Sequence, residues 1–212
     1  PDLPKDPTEY SNFLSKLRCF DTAHATEADK IRSDLYRSEF KRKKLKQNNK
    51  SLSKWIETLG LELIIENINN KNSPRALQLL NKTNQMNLST RRMTENEFKK
   101  WIQKKTNYLW TVRAKDKFGD YGIIGILSMS IKEKNAFLID FVLSCRVVGR
   151  FIEETIIQFL KDFCHKKNIK KINGTYIKTQ KNTLCYKFLQ KLKILKKDKK
   201  SFILLPNKEK IN

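Results

Sequence analysis

Cysteine and histidine are scarce in this sequence and stand far apart. There is no C-x-x-C pair, and the two histidines are separated by most of the chain. Zinc sites and disulfide frameworks need such residues at close or regular spacing. The sequence therefore predicts no metal site and no disulfide framework. The four cysteines are Cys19, Cys145, Cys164 and Cys185.

Long apolar runs are also missing. No stretch approaches the roughly 20 apolar residues that a transmembrane helix needs, and no secretory signal precedes the predicted fold. These absences predict a cytoplasmic protein in a reducing compartment, with no membrane as partner. The chain begins at Pro1 rather than Met, which is compatible with a piece cut from a longer polypeptide.

Acidic residues are too few to balance the basic ones. The chain carries 45 Lys and Arg against 22 Asp and Glu, a net charge of +23. Of the basic residues, ten are Arg and 35 are Lys, and Asn is abundant as well. An A/T-biased genome produces this composition whatever the function, so we do not expect nucleic acid as the partner on this ground. A basic surface would still attract any acidic partner.

Two regions of different composition follow one another. Residues 1–50 have too few apolar positions for a core of their own and are predicted to be a helical connector or the tail of an upstream domain. Residues 51–212 alternate strand and helix patterns, in the order β-α-α-β-β-β-α-β-α-β after a short first helix. This order predicts one α+β domain with a mixed, mostly antiparallel sheet flanked by helices.

One strand in this region runs directly into a glycine-containing turn and a helix. It reads Phe141-Val-Leu-Ser-Cys-Arg-Val-Val-Gly-Arg150, and an amphipathic helix continues to Cys164. Backbone N–H groups and the helix dipole would meet at this turn, beside two arginines, which favours a pyrophosphate or a phosphopantetheine phosphate. A solvated helix start is the alternative. The predicted cofactor-binding residues are Leu143, Arg146, Val148, Gly149, Arg150 and Asn182.

The element order and this turn resemble the GNAT acyltransferase fold. That family binds acyl-CoA or acyl-pantetheine at a Q/R-x-x-G-x-G/A turn, and this chain has Arg146-Val-Val-Gly-Arg-Phe151. Phe151 stands where the family has Gly or Ala. The resemblance implies coenzyme A or carrier-bound phosphopantetheine as the cofactor, with no metal.

Four segments together resemble the C-terminal half of FkbH-like proteins. They are residues 81–92, 118–122, 144–150 and 176–182. In that family an upstream HAD-type phosphatase domain precedes this half, and the whole protein is implied to load a glyceryl group onto an acyl carrier protein. The resemblance implies two partners, an acidic acyl carrier protein and the upstream HAD-type domain. No Asp-x-Asp-x-Thr motif occurs here, so phosphatase activity is not expected from this chain.

Candidate catalytic residues lie beside the turn and on a preceding strand. A thiol at Cys145 could accept an acyl group, although a buried core cysteine is the more common role. Tyr121 is predicted to be a proton donor and Asp120 a base or orienting group. An ordinary hairpin position is the alternative for Asp120.

The resemblance also implies a substrate-binding segment, for which capping and loop hydrogen bonding are the alternatives. Its members are Asn84, Gln85, Asn87, Thr90, Arg91 and Arg92. Asn182 could equally be the cap of the last helix.

Two other functions remain open. A conventional acyl-CoA N-acyltransferase acting on a small amine is one, but Leu189 stands where many GNAT enzymes carry a general-acid tyrosine. A non-catalytic nucleic-acid-binding module is the other, and the sequence lacks RNP-type strands and zinc-finger patterns.

Overall fold

The computed structural model describes residues 3–17, 27–47, 49, 51–196, 198 and 200–206. The chain divides into two compact units, Pro1–Lys41 and Arg42–Asn212. The first unit contains a 3₁₀ turn at Pro7–Glu9 and helix α1, Tyr10–Lys16. Helix α2, Glu27–Gln47, spans the division between the units. The boundary predicted between residues 50 and 51 stays a prediction.

The second unit carries the sheet. Its helices are α3 (Leu52–Leu59), α4 (Ser73–Lys82), α5 (Glu95–Ile102), α6 (Ile152–Lys166) and α7 (Thr183–Lys191). Its strands are β1 (Glu62–Asn67), β2 (Met86–Asn87), β3 (Asn107–Asp116), β4 (Gly119–Lys132), β5 (Asn135–Leu143), β6 (Lys171–Thr175) and β7 (Ser201–Leu204).

Local capping signals place the helix ends. Gly60 ends α3 in the left-handed conformation at φ 61°, which glycine adopts without steric cost. Thr94 begins α5 with a capping box, in which its hydroxyl accepts from the Glu97 N–H and the Glu97 carboxylate accepts from the Thr94 N–H.

Among the described residues the strands form one seven-stranded sheet in the order β1-β3-β4-β5-β6-β7, with β2 paired to β5. The β5–β6 pair is parallel and the other pairs are antiparallel. The predicted mixed, mostly antiparallel sheet is therefore confirmed.

Strand β5 extends beyond the end of its parallel neighbour, β6. Only Asn135 to Leu138 of β5 pair with β6. Later residues on the same edge of β5 pair with β2, with Met86 opposite Leu143 and Asn87 opposite Val142. The Leu88 N–H then donates to the Phe141 carbonyl at 3.0 Å. Residues 86–88, called here the edge segment, thus continue the pairing where β6 leaves it. The sequence pattern did not predict β2.

Two apolar layers hold the helices on the sheet. The larger core includes the buried residues of α6 and α7, and the smaller one joins α4 and α5 to the sheet. A Cβ on Gly174 would lie 2.0 Å from the Phe202 ring, so β6 carries glycine where the β7 aromatic ring crosses it. Residues that anchor the helices are Ile152, Ile156, Leu160, Phe188 and Leu189 in the larger core, and Leu79, Leu80 and Phe98 in the smaller.

Candidate functional site

The junction between β5 and α6 carries exposed polar side chains next to a residue buried in the core. After Leu143 the Ser144 N–H donates to the Ile124 carbonyl at 2.7 Å, which fixes the turn to β4. A 3₁₀ turn over Cys145–Val147 follows, with Val147 buried in the larger core. Cys145 and Arg146 are exposed. Cys145 is therefore not the buried core cysteine that its residue type favoured, and its nucleophilic role stays a prediction.

A second arginine lies near Arg146. Arg75 stands in the first turn of α4, and burial together with the Arg146 charge lowers the pKa of its guanidinium. Arg75 also donates to the Gln78 side chain. Two cations that repel one another beside the turn make a region that an anion would stabilise. Sequence reasoning missed Arg75 because 71 residues separate it from Arg146.

The helix N-terminus at the junction holds a carboxylate from its own first turn. The Gly149 N–H donates to Glu153 Oε1 at 2.8 Å, and Glu153 is only 4% exposed. Its Oε2 has no hydrogen-bond partner among the described residues. Burial raises the pKa of this carboxyl. Glu153 thus uses an N–H that an incoming phosphate would need.

The backbone before α6 takes left-handed conformations at two positions. Gly149 has φ 79° and Phe151 has φ 59°. Glycine adopts this region freely, whereas a residue with a Cβ is uncommon there. Phe151 occupies the sixth position of the turn, where the GNAT pattern has Gly or Ala, and it adopts this left-handed conformation although it carries a Cβ.

Tyr121 and Arg150 belong to a buried polar cluster below the junction. Tyr121 is 5% exposed and Arg150 is 6% exposed. The Arg150 guanidinium donates to the Tyr121 hydroxyl, which itself donates to Asp116 Oδ2 at 2.7 Å. Arg42 completes the cluster with two hydrogen bonds to the Asp116 carboxylate, at 2.7 and 2.8 Å.

The charges of this cluster stabilise one another. Burial raises the pKa of Asp116, but hydrogen bonds from Arg42 and Tyr121 outweigh it and leave that pKa below its ordinary value. Burial, reinforced by the Asp116 hydrogen bond, raises the pKa of Tyr121. Tyr121 therefore stays a neutral phenol at physiological pH, as a proton donor must be. Its proton is directed at Asp116, and its catalytic role stays a prediction.

Asp120 lies apart from Tyr121. It forms an ion pair with Arg113 on the neighbouring strand and accepts from the Gly122 N–H at 2.6 Å. The Arg113 hydrogen bond lowers the pKa of Asp120. Adjacent residues in a strand face opposite sides, so the structure does not bring these two predicted catalytic residues together.

The predicted substrate segment uses its polar groups within the chain. Asn87 is fully buried, donates to the Thr83 carbonyl at 2.9 Å and accepts from the Thr90 N–H at 2.8 Å. Arg92 donates to the Leu80 carbonyl and to the Asn84 side chain. These contacts fix the loop after α4. The Gln85 carbonyl accepts from the Cys185 N–H at 3.3 Å.

Arg91 pairs with a buried carboxylate that sequence reasoning missed. Asp140 on β5 is fully buried, forms an ion pair with Arg91 and accepts from the hydroxyls of Ser89 and Ser128. The Arg91 guanidinium also lies 4.8 Å from the Trp101 ring centroid. Asp140 stands inside an apolar run, so the pattern around it indicated only a buried strand.

Asn182 is a buried connector. It has no side-chain cap bond to α7. Its Oδ1 accepts from the Tyr176 hydroxyl at 2.7 Å and the Thr179 N–H at 2.8 Å, and its Nδ2 donates to the Asn87 carbonyl at 3.1 Å. The predicted cap is thus not made, and the side chain ties the loop after β6 to the edge segment. The cofactor role stays a prediction.

Leu143 and Val148 are the remaining residues predicted from the sequence. They flank the turn, the first buried and the second half-buried. Among the described residues no group of three or more His, Cys, Asp and Glu could hold a metal ion. None of the described helices has both the length and the apolar character needed to cross a membrane.

Comparisons with known proteins find likeness in structure. No protein-family model and no curated protein matches the chain. A domain from Methanocaldococcus jannaschii DSM 2661 matches with a TM-score of 0.53 at 10% identity, over 68% of this chain and 99% of that one. Spermidine N-acetyltransferase from Vibrio cholerae, in complex with CoA and spermine, matches with a TM-score of 0.51 at 14% identity, over 68% and 95%. The chain therefore has the fold of the GNAT acetyltransferases.

Proposed function

We propose that this chain is an acyltransferase-type domain that receives an acyl-phosphopantetheine thioester at the junction between β5 and α6. The observation that carries the proposal is the pairing of an exposed thiol, Cys145, with an exposed cation, Arg146, on one turn of a GNAT fold. The cation would attract the phosphate, and the thiol would stand beside the carbonyl that it attacks.

The chemistry is a thioester exchange. The Cys145 thiolate attacks the thioester carbonyl, a bond forms between its sulfur and the acyl carbon, and the bond to the pantetheine sulfur breaks. The proton lost by Cys145 goes to the departing pantetheine thiolate. A second exchange with an acceptor thiol releases the acyl group. The resemblance to FkbH-like proteins supports a glyceryl-type group as cargo and an acyl carrier protein as the source or acceptor.

The edge segment occupies the strand edge to which the phosphopantetheine arm of coenzyme A or of a carrier protein could otherwise add. An extended ligand with amide groups binds most readily by adding to an unpaired strand edge. Along residues 141–143 of β5, that edge is already paired to residues 86–88. A ligand must therefore approach the turn from its exposed side, where docking of a carrier protein would supply the binding energy that the strand edge does not.

A second candidate is an acyl-CoA-dependent N-acyltransferase on a small amine. The Vibrio cholerae neighbour is a spermidine N-acetyltransferase in complex with CoA and spermine, and its fold likeness supports this alternative. Against it, Leu189 stands at the general-acid tyrosine position and is buried. An amine acceptor must lose a proton during transfer, whereas a thiolate need not.

Thermal stability with a panel of ligands tests the proposal. The melting temperature is measured with coenzyme A, acetyl-CoA, and an acyl carrier protein with and without its phosphopantetheine arm. A shift with the armed carrier and little with coenzyme A supports the proposed function. A shift with acetyl-CoA alone supports the N-acyltransferase. No shift with any ligand contradicts both.

A further inference from the structure

Eight exposed lysines lie at one end of the sheet, the end away from the junction. They come from three connections, α5–β3, β4–β5 and α6–β6, and each is exposed. We call this surface the basic end. Its members are Lys104, Lys105, Lys132, Lys134, Lys166, Lys167, Lys170 and Lys171.

Backbone hydrogen bonds hold these connections side by side. The Ile131 N–H donates to the Thr106 carbonyl at 2.8 Å, which joins the start of β3 to the end of β4. The Lys170 N–H donates to the Lys134 carbonyl at 2.9 Å, and Lys171 is in register with Asn135. Four adjacent strands span about 15 Å, so the lysines are confined to a narrow surface.

The basic end contains little negative charge. Within its described segments, 104–106, 132–134 and 166–171, Glu133 is the one carboxylate. The described ion pairs include none of its eight lysines. The other end of the sheet differs, because several of its cations form ion pairs among the described residues. Those pairs are Arg42–Asp116, Arg113–Asp120 and Lys115–Glu62.

We propose that the basic end binds the phosphate backbone of nucleic acid without reading its sequence. Clustered, solvated lysines gain free energy on a polyphosphate by releasing its condensed counterions. Lysine is depleted in protein–protein interfaces, which favour aromatic residues and arginine, and the basic end contains no arginine. A genome bias toward lysine explains how many lysines the chain has, but not their unpaired clustering at one end.

This surface is separate from the junction. Helix α6 begins beside Gly149 and ends with Lys166, and its 15 residues extend about 22 Å. A nucleic acid at the basic end therefore leaves the junction open. This interaction does not depend on the proposed acyl transfer.

Fluorescence polarisation with a labelled single-stranded RNA of about 20 nucleotides tests this proposal over a range of salt concentrations. The test variant is Lys134→Gln, Lys170→Gln, Lys171→Gln. The control is Lys178→Gln, Lys181→Gln, Lys187→Gln, which makes the same change in net charge on exposed residues that follow β6. We expect the test variant to bind at least tenfold more weakly and to lower the slope of log affinity against log salt by about 2. The control should bind like the unmodified protein.

Three results would overturn the proposal. One is absence of salt-dependent RNA binding by the unmodified protein. Another is an equal loss of RNA affinity in the test and control variants, since RNA binding would then depend on the total charge alone. A third is intact RNA binding by the test variant together with lost binding to anionic vesicles or to an acidic carrier protein. An unchanged melting temperature of each variant confirms that the fold is intact.

Discussion

Glu153 combines a buried carboxylate with one unpartnered oxygen at the start of α6. Burial raises its pKa, so the folded protein keeps a proton there to a higher pH than the unfolded chain does. Its contribution to stability is therefore fully present in acid, below the ordinary carboxyl range. That contribution is lost as the pH rises through the raised pKa of Glu153.

We expect Glu153→Gln to stabilise the protein near neutral pH by about 1 kcal/mol, because the buried charge disappears while the Gly149 N–H keeps an oxygen acceptor. The measurement is the free energy of unfolding of both proteins between about pH 4 and about pH 8. The two curves should converge in acid. Glu154→Gln is the control, since Glu154 pairs with the exposed Lys191. Curves that stay parallel over this range would show that Glu153 is ionised in the folded protein and that its surroundings stabilise the charge.

Cys145 is the one exposed cysteine among the described residues. Burial raises the pKa of Cys164 and of Cys185 to about 12, so those thiols are protonated and shielded. After incubation with an acyl-loaded carrier, intact mass should show one acyl adduct on the unmodified protein and none on Cys145→Ser. Cys164→Ser, with the exposed thiol intact, is the control. An adduct that persists in Cys145→Ser would contradict the nucleophilic role.

At the scale of elements, the edge segment decides how a ligand reaches β5. The Leu88 N–H donates to the Phe141 carbonyl, and the Leu88 carbonyl accepts from the Ile177 N–H, both at 3.0 Å. We expect both amides to exchange hydrogen as slowly as the amides of the central strands. Added coenzyme A should leave their protection unchanged. Fast exchange, or deprotection by coenzyme A, would mean that the edge opens to a ligand.

The crossing of β6 by Phe202 gives a second prediction. We expect Gly174→Ala to destabilise the protein by about 1–3 kcal/mol, because the new methyl group overlaps the Phe202 ring. The double variant Gly174→Ala, Phe202→Leu should recover part of that loss, since the smaller side chain makes room. Denaturant unfolding measures both effects. A double variant that loses more unfolding free energy than the two single variants lose together would contradict steric overlap as the cause.

Elements with local signals were predictable from the sequence. Gly60, the Thr94 capping box and the strand-turn-helix junction follow from residues within a few positions of each other. Strand β2 was not predictable, because two residues show no periodicity and pair with a strand more than 50 residues away. The same holds for Arg42 and Asp116, which are 74 residues apart. Local patterns indicate secondary structure, whereas such partners are set by how the elements pack.

For the whole molecule, the two ends of the sheet have different chemistry. One end carries the junction, with three described ion pairs nearby. The other carries the basic end, whose lysines belong to none of the described ion pairs. The net charge of +23 is therefore an incomplete description, since the arrangement of charges distinguishes a site for one phosphate from a surface for many. Salt should weaken binding at the basic end more steeply than at the junction.

The most direct test of the central claim is the affinity for an acyl carrier protein with and without its phosphopantetheine arm. We predict tighter binding of the armed carrier, and loss of that preference in Arg146→Gln. Arg113→Gln, which changes an exposed arginine in the Asp120 ion pair, should keep the preference. Equal affinity of the unmodified protein for both carriers, or a preference that survives Arg146→Gln, would contradict phosphopantetheine recognition at the junction.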